Sequence, residues 1–135
     1  MTTTDWAHLP NAVHIDRVLA SAKADPGQWK KLWVSGRYAA WGAQSELRDS
    51  AWEAAREAVR VQVRGAAWDA AWWAARNTPQ YAAMDAILAL FAYDDCAYML
   101  DSDPGELAIL AKFGDPRAVL ILPACEILHS LKELA

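Results

Sequence analysis

Apolar residues recur every three to four positions along most of the chain, which is the period of an amphipathic α-helix. Prolines and glycines between these segments supply helix ends; Ser102-Asp103-Pro104, for example, starts one short helix, and Gly114 closes it. The pattern predicts one all-α domain over residues 1–135, a bundle of about five to seven helices with no significant sheet. The predicted helical segments are 12–23, 28–44, about 45–77, 79–100, 106–113 and 117–133, the last interrupted or kinked at Pro123. Segment 28–44 is either a helix with a weak centre or an irregular lead-in to the long helix.

The long central segment has two regular rows. Every fourth residue in the first row, the Arg/Trp row, is a guanidinium or an indole: Arg48, Trp52, Arg56, Arg60, Arg64, Trp68, Trp72 and Arg76. The second, the alanine row, holds Ala51, Ala55, Val59, Val63, Ala67, Ala71 and Ala75. Residues four apart are neighbours on a helix, but each step drifts by about 40°, so only part of either row shares one face. We expect the alanines of this row to pack closely against another helix, of the same chain or of a second copy.

The ends and the middle of this helix are marked by local signals. Ser50 and Glu53 form a capping-box pattern, so the helix starts there or earlier near Ser45, and it should end at 77–78, before Pro79. Residues 57–65 alternate valine with polar residues in a strand-like period, but the alanine-rich flanks favour continuous helix. A bend or a close backbone approach would explain Gly65 within it.

Charge is unevenly distributed along the chain. The net charge is −4, but residues 1–84 carry ten basic and eight acidic side chains, and residues 85–135 carry three and nine. No long basic surface is present, so extended nucleic acid is not an expected partner. A small anion held by a few local arginines is compatible with this distribution.

The two cysteines and the length of the apolar runs indicate the cellular compartment of the protein. Cys96 and Cys125 lie in apolar surroundings without metal-ligand or redox spacing, which predicts buried free thiols in a reducing cytosol. The polar start does not resemble a signal peptide, and the longest apolar run near the C-terminus, 118–125, is too short to span a bilayer. We expect a cytoplasmic protein that is not in a membrane.

Two adjacent acids are the most unusual polar feature of the apolar second half. Helical spacing places Asp95 on an apolar stripe that consists of Leu88, Phe91 and Tyr98, so its carboxylate should be buried and paired. It either accepts an arginine of the Arg/Trp row and locks two helices together, or holds a polar group of a ligand. Asp94 and Asp95 point about 100° apart and do not form a catalytic dyad.

No catalytic or metal-binding motif accompanies these acids. The three histidines are isolated, and no nucleophile elbow, phosphate-binding glycine loop or zinc spacing occurs. We therefore expect a non-enzymatic protein without metal or cofactor. We expect the eight tryptophans mainly to fill volume in the core. Trp72 and Trp73 cannot both point the same way, however, so at least one of them should face solvent, a ligand or another subunit.

Four segments in this order carry a resemblance to a family: 9–20, the Ala-Trp-Asp-Ala-Ala-Trp tract at 67–72, 86–100 with its Tyr-Asp-Asp-Cys block, and 114–124. Together they resemble small Ala/Trp-repeat proteins encoded by tailed phages and prophages. The resemblance implies a phage accessory gene, and such genes often counter host defence. It assigns no functional residues.

The Arg/Trp row and this resemblance lead to three functional hypotheses. The first is a protein that antagonises bacterial defence by sequestering a small nucleotide signal in the cytoplasm of the infected or lysogenic host, with arginines on phosphates and an indole on the base. The second is an anti-CRISPR-like inhibitor that binds a host defence protein through its Trp/Ala face or its acidic last third. The third is a structural helical oligomer, and a homo-oligomer is expected in any case. The candidate ligand-binding residues are Arg56, Arg60, Arg64, Trp68, Trp72, Arg76, Tyr93, Asp94 and Asp95.

Overall fold

The computed structural model describes residues 5–34, 45–75 and 81–134. Within these ranges the chain contains seven α-helices and one 3-10 helix and no strand, which confirms the all-α prediction. The helices are α1 Ala12–Ala24, α2 Pro26–Val34, α3 Ser45–Val61, α4 Gly65–Ala74, α5 Tyr81–Ala92, α6 Pro104–Lys112 and α7 Pro116–Leu134, and the 3-10 helix is Ala97–Asp101. No helix among the described residues is long and apolar enough to cross a membrane.

Helix α5 lies at the centre of the bundle. All of its residues from Ala82 to Ala92 are buried, as expected for a helix that is hydrophobic all round. Helices α1, α3, α4 and α7 all pack against it, and α6 packs against α7. Helix α7 is also buried without interruption from Ala118 to Leu128 and continues through Pro123, so the predicted break there is wrong.

The predicted helix over 45–77 is two helices, because the chain turns at Gln62–Arg64. Val63 adopts a left-handed conformation with φ of 57°. Its N–H donates to the carbonyl of Arg60 at 3.0 Å, and the N–H of Arg64 donates to the carbonyl of Val59 at 2.9 Å. This pair of bonds is a Schellman motif, the usual end of a helix, with valine where glycine is favoured. The prediction of continuous helix is therefore wrong.

The turn is held in place by helix α5. The Gln62 amide donates to the carbonyl of Ala92 at 2.9 Å, and the Arg64 guanidinium donates to the carbonyl of Phe91 at 2.8 Å. These carbonyls belong to the last turn of α5, where no intrahelical donor is available. Gly65 begins α4, and a Cβ placed on it would meet no described atom within 4 Å, so close packing does not explain this glycine.

Several predicted helix ends agree with the structure. Helix α3 starts at Ser45, so of the two predicted starts the earlier is correct and Ser50 lies inside the helix. The Asp103 side chain caps α6 by accepting the backbone N–H of Glu106 at 3.1 Å. Gly114 follows α6 with φ of 84°, the conformation that glycine adopts most readily. Helix α4 ends at Ala74, before the predicted end of the central helix at 77–78, and residues 76–80 lie outside the described part of the chain.

The alanine row packs as predicted, with one exception. Its buried members are Ala51, Ala55, Val59, Ala67, Ala71 and Ala75, and all are part of one hydrophobic core. Val63 is the exception, since the turn leaves its side chain 90% exposed. Cys96 and Cys125 are free and buried, also as predicted. Burial raises the pKa of Cys96 to about 12 and that of Cys125 to about 11, so both thiols stay protonated at neutral pH.

Substitution of Val63 by glycine should stabilise the protein. A left-handed L-residue costs about 1–2 kcal/mol, against which glycine loses about 0.5–1 kcal/mol of backbone entropy, and the exposed valine side chain packs against little. We expect the free energy of unfolding in urea to rise by up to about 1 kcal/mol for Val63→Gly. Val61→Gly, at an exposed helical position two residues earlier, should not stabilise. A loss of stability in Val63→Gly would contradict the Schellman assignment.

Enlargement of the alanine row should destabilise the bundle. Ala71 is fully buried where α4 meets the core, so Ala71→Leu overpacks this contact and should lower the free energy of unfolding by about 1–3 kcal/mol. Ala66 is exposed on the same helix, and Ala66→Leu is the matched control, with an expected change within about 0.5 kcal/mol. Equal melting temperatures for the two variants would show that the row does not pack as described.

Candidate functional site

A buried acid on α5 organises the region where the Arg/Trp row meets the core. Asp85 is fully buried and accepts two bonds from Arg48, from Nε to Oδ2 at 2.7 Å and from Nη2 to Oδ1 at 2.8 Å. Its Oδ1 also accepts the Trp52 indole N–H at 2.5 Å. Burial raises the pKa of Asp85, and the bonds from Arg48 and Trp52 act in the opposite direction. Asp85 therefore has the charged and polar partners that a buried carboxylate requires.

The tryptophans of the row form one aromatic cluster beside this acid. The ring of Trp68 lies 6.1 Å from that of Trp52, 5.7 Å from that of Phe91 and 5.9 Å from that of Trp72, measured between centroids. Trp52 and Trp68 are 16 residues apart, which would place them about 24 Å apart along a continuous helix. The turn at residues 62–64 is thus what brings the two halves of the row together.

The three predicted phosphate-binding arginines that the structure describes differ in their surroundings. Arg64 is the most enclosed of them, with a side chain 15% exposed, and it binds the Phe91 carbonyl and the Asp94 carboxylate, each at 2.8 Å. It is a cap for the end of α5. Arg60 is exposed and paired with Glu57 three residues earlier on α3. Arg56 is exposed, and Arg76 lies outside the described residues.

The predicted burial of Asp95 is wrong. Helix α5 ends at Ala92, so the helical spacing that placed Asp95 on an apolar stripe does not extend to it. Its side chain is 76% exposed and pairs at 3.1 Å with Arg117, which is not a member of the Arg/Trp row. Asp94 is also exposed and pairs with Arg64, and Tyr93 is half-buried beside them.

The acid that does occupy the buried, paired position is Asp85, which the sequence prediction missed. A signal for it was present, since Asp85 is the one charged residue in the otherwise apolar run from Tyr81 to Tyr93.

The candidate tryptophans differ in how much of each is exposed. Trp68 is buried in the core, whereas the side chains of Trp72 and Trp73 are 51% and 67% exposed. The expectation that one of these two adjacent tryptophans faces outward is confirmed.

In the part of the chain that the structure describes, the candidate ligand-binding residues therefore do not come together as one binding site. The contacts join Arg64 to Asp94 and Trp68 to Trp72, and both contacts hold the fold together. Over the same residues, no group of three or more histidine, cysteine or acidic side chains is arranged to hold a metal ion.

Comparisons with protein-family models, with curated proteins and with solved structures found no significant match to this chain. The resemblance to phage Ala/Trp-repeat proteins remains a prediction from the sequence.

The role of Asp85 can be tested through stability. Asp85→Ala removes the carboxylate that Arg48 and Trp52 share, and removal of one member of a buried ion pair costs up to about 3–5 kcal/mol. The exposed Asp95 provides the matched control, because Asp95→Ala removes an acid with little burial and should change stability little. Urea unfolding of the two variants would measure both. Equal loss in both would contradict a structural role that is particular to Asp85.

Proposed function

We propose that this protein is non-enzymatic and acts by binding another protein, with helix α4 presenting the contact surface through Trp72 and Trp73. The observation that carries the proposal is the exposure of these two adjacent indoles, while Arg64 and Trp68, two of the candidate nucleotide-binding residues, are engaged within the fold. Tryptophan is enriched among the residues that contribute most to protein–protein binding.

The geometry of Trp72 supports this role. Its ring packs against that of Trp68 at 5.9 Å with an interplanar angle of 55°, so the inner edge is held by the core while half of the side chain faces outward. A side chain that is already held in place loses less entropy when a partner covers it. An indole also offers a large apolar area together with one N–H donor.

Nucleotide sequestration is less well supported by the charged side chains that the structure describes on α3 and α4. Apart from Arg64, the described arginines that this hypothesis assigns to the phosphates are Arg56 and Arg60. Arg60 is paired with Glu57, whose carboxylate would repel a phosphate. Asp69 is exposed on α4 between Gly65 and Trp72 and adds a second negative charge. An apolar protein surface with a few polar groups fits this arrangement better than a phosphate does.

The resemblance to phage Ala/Trp-repeat proteins suggests the class of partner. A phage accessory protein of this kind would act in the cytoplasm of its bacterial host and bind a component of a defence complex, as anti-CRISPR proteins do. We therefore propose a host defence protein as the partner and steric blocking as the mechanism.

The proposal can be tested in bacterial strains that each carry one defined defence system, including a CRISPR system and a cyclic-nucleotide signalling system. We expect the protein to restore phage plating in at least one strain to the level of the strain without defence. The double variant Trp72→Ala/Trp73→Ala should abolish this effect, since it removes the exposed indoles. The double variant Arg56→Ala/Arg60→Ala, which removes exposed arginines from α3, is the control and should retain it.

Nucleotide sequestration predicts the reverse pattern. It requires the arginine variant to fail and a cyclic or linear nucleotide at hundredfold excess over its dissociation constant to stabilise the wild-type protein by about 2.7 kcal/mol. The third hypothesis, a structural helical oligomer, can be tested by sedimentation velocity. If the tryptophan variant converts an oligomer to a monomer and restores plating normally, the Trp72–Trp73 surface is a contact between copies and the proposal is wrong.

A further inference from the structure

Helix α6 is apolar on two opposite sides. One side packs against α7 and consists of Pro104, Leu107 and Ala111, all buried. The other side faces outward and exposes Ile109, Leu110 and Phe113, with exposed fractions of 57%, 41% and 83%. Residues at i, i+1 and i+4 lie within about 100° of one another around a helix, so the three form one continuous stripe, which we call the α6 stripe.

The α6 stripe is rigid in spite of its exposure. Asp103 caps the first turn of α6, and Pro104 occupies its first position, where proline is favoured. Gly114 ends the helix in a left-handed conformation, with Leu47 of α3 close behind it. A short helix with both ends fixed presents its side chains in a defined arrangement, which lowers the entropic cost of binding.

The surroundings of the stripe are acidic. The segment from Asp94 to Asp115 holds one basic side chain, Lys112, and six acidic side chains, of which Asp94, Asp95, Asp101 and Asp115 are paired with arginines. Asp103 and Glu106 are exposed on or beside α6, and Glu106 lies one turn before the stripe. Beyond Phe113, the carboxylates of Asp95 and Asp115 share the single guanidinium of Arg117, which leaves one negative charge in excess there.

We propose that the α6 stripe binds a basic amphipathic helix of another protein. Leucine-type side chains of that helix would cover Ile109, Leu110 and Phe113, and its lysines or arginines would face Glu106 and the other acids at the edge. An apolar face with complementary charges at its rim is the standard arrangement for recognition of an amphipathic helix.

Charge distinguishes this partner from two other occupants. A second copy packed through the same stripe would offer only Lys112 to neutralise these acids, because a two-fold contact uses the same surface on both subunits. An anionic lipid surface would be repelled by Asp103 and Glu106. A basic helix alone covers the apolar side chains and neutralises the acids together.

The stripe lies on a different helix from Trp72 and Trp73. An experiment can therefore contradict this inference without contradicting the function proposed above, and the reverse is also true. The probe is a fluorescent helical peptide of leucine and lysine, with leucines spaced three and four residues apart, and its binding is measured by anisotropy. The control peptide replaces every lysine with glutamate. We expect the lysine peptide to bind, the glutamate peptide not to bind, and affinity to fall as salt is added.

Variants of the protein locate the contact. Ile109→Ala and Phe113→Ala should each weaken binding by about tenfold, because they shorten exposed side chains at the centre of the stripe. Glu106→Gln should weaken binding less and reduce its salt dependence, and Asp103→Asn should do the same while keeping the helix cap. Val13→Ala, at an exposed valine on α1, and Trp72→Ala are controls that should bind the peptide like the wild type.

Three results would overturn the inference. The first is equal binding of the lysine and glutamate peptides. The second is unchanged affinity in Ile109→Ala and Phe113→Ala, which would mean that the peptide is attracted by charge alone. The third is a concentration-dependent dimer in sedimentation velocity that Phe113→Ala dissociates, which would assign the stripe to a second copy of the chain.

Discussion

The bonds that Asp85 accepts from Arg48 and Trp52 are the interaction on which the rest of the structure depends. Helix α5 is buried on all sides, so a carboxylate on it requires charged and polar partners within the core. Arg48 and Trp52 are one turn apart on α3, and their bonds to one carboxylate determine both the rotation and the register of α3 on α5. Trp52 is thereby placed where Trp68 can pack against it.

The end of α5 is the second constraint, and it explains why the Arg/Trp row does not form a ligand site. Carbonyls in this last turn accept side-chain donors from separate parts of the chain, namely Asn11, Gln62 and Arg64. Gln62 and Arg64 donate from the turn that interrupts the long helix, so these contacts hold the interruption against the end of α5. Arg64, a member of a row that suggests anion binding, is used to satisfy the backbone of a neighbouring helix.

Two regions of the protein surface expose large apolar side chains, and the charges around them differ. Trp72 and Trp73 lie on α4, in the first part of the chain, where basic and acidic residues nearly balance. The α6 stripe lies in the acidic last third. Large exposed apolar side chains are costly in water unless a partner covers them, and the difference in charge is the reason that we propose different partners for the two regions.

The sequence by itself determined the features that depend on neighbours along the chain. Periodicity predicted the all-α class and the burial of the alanine row, and capping residues such as Asp103 and Gly114 predicted both ends of α6, because these signals act within one or two helical turns. Only the tertiary structure decided which polar groups are buried. Asp95 was expected inside because the helix was extended past Ala92, whereas Asp85 lies inside because Arg48 and Trp52 reach it across a helix interface. The break at Val63 likewise depends on carbonyls about 30 residues away, and a local pattern carries no information on such partners.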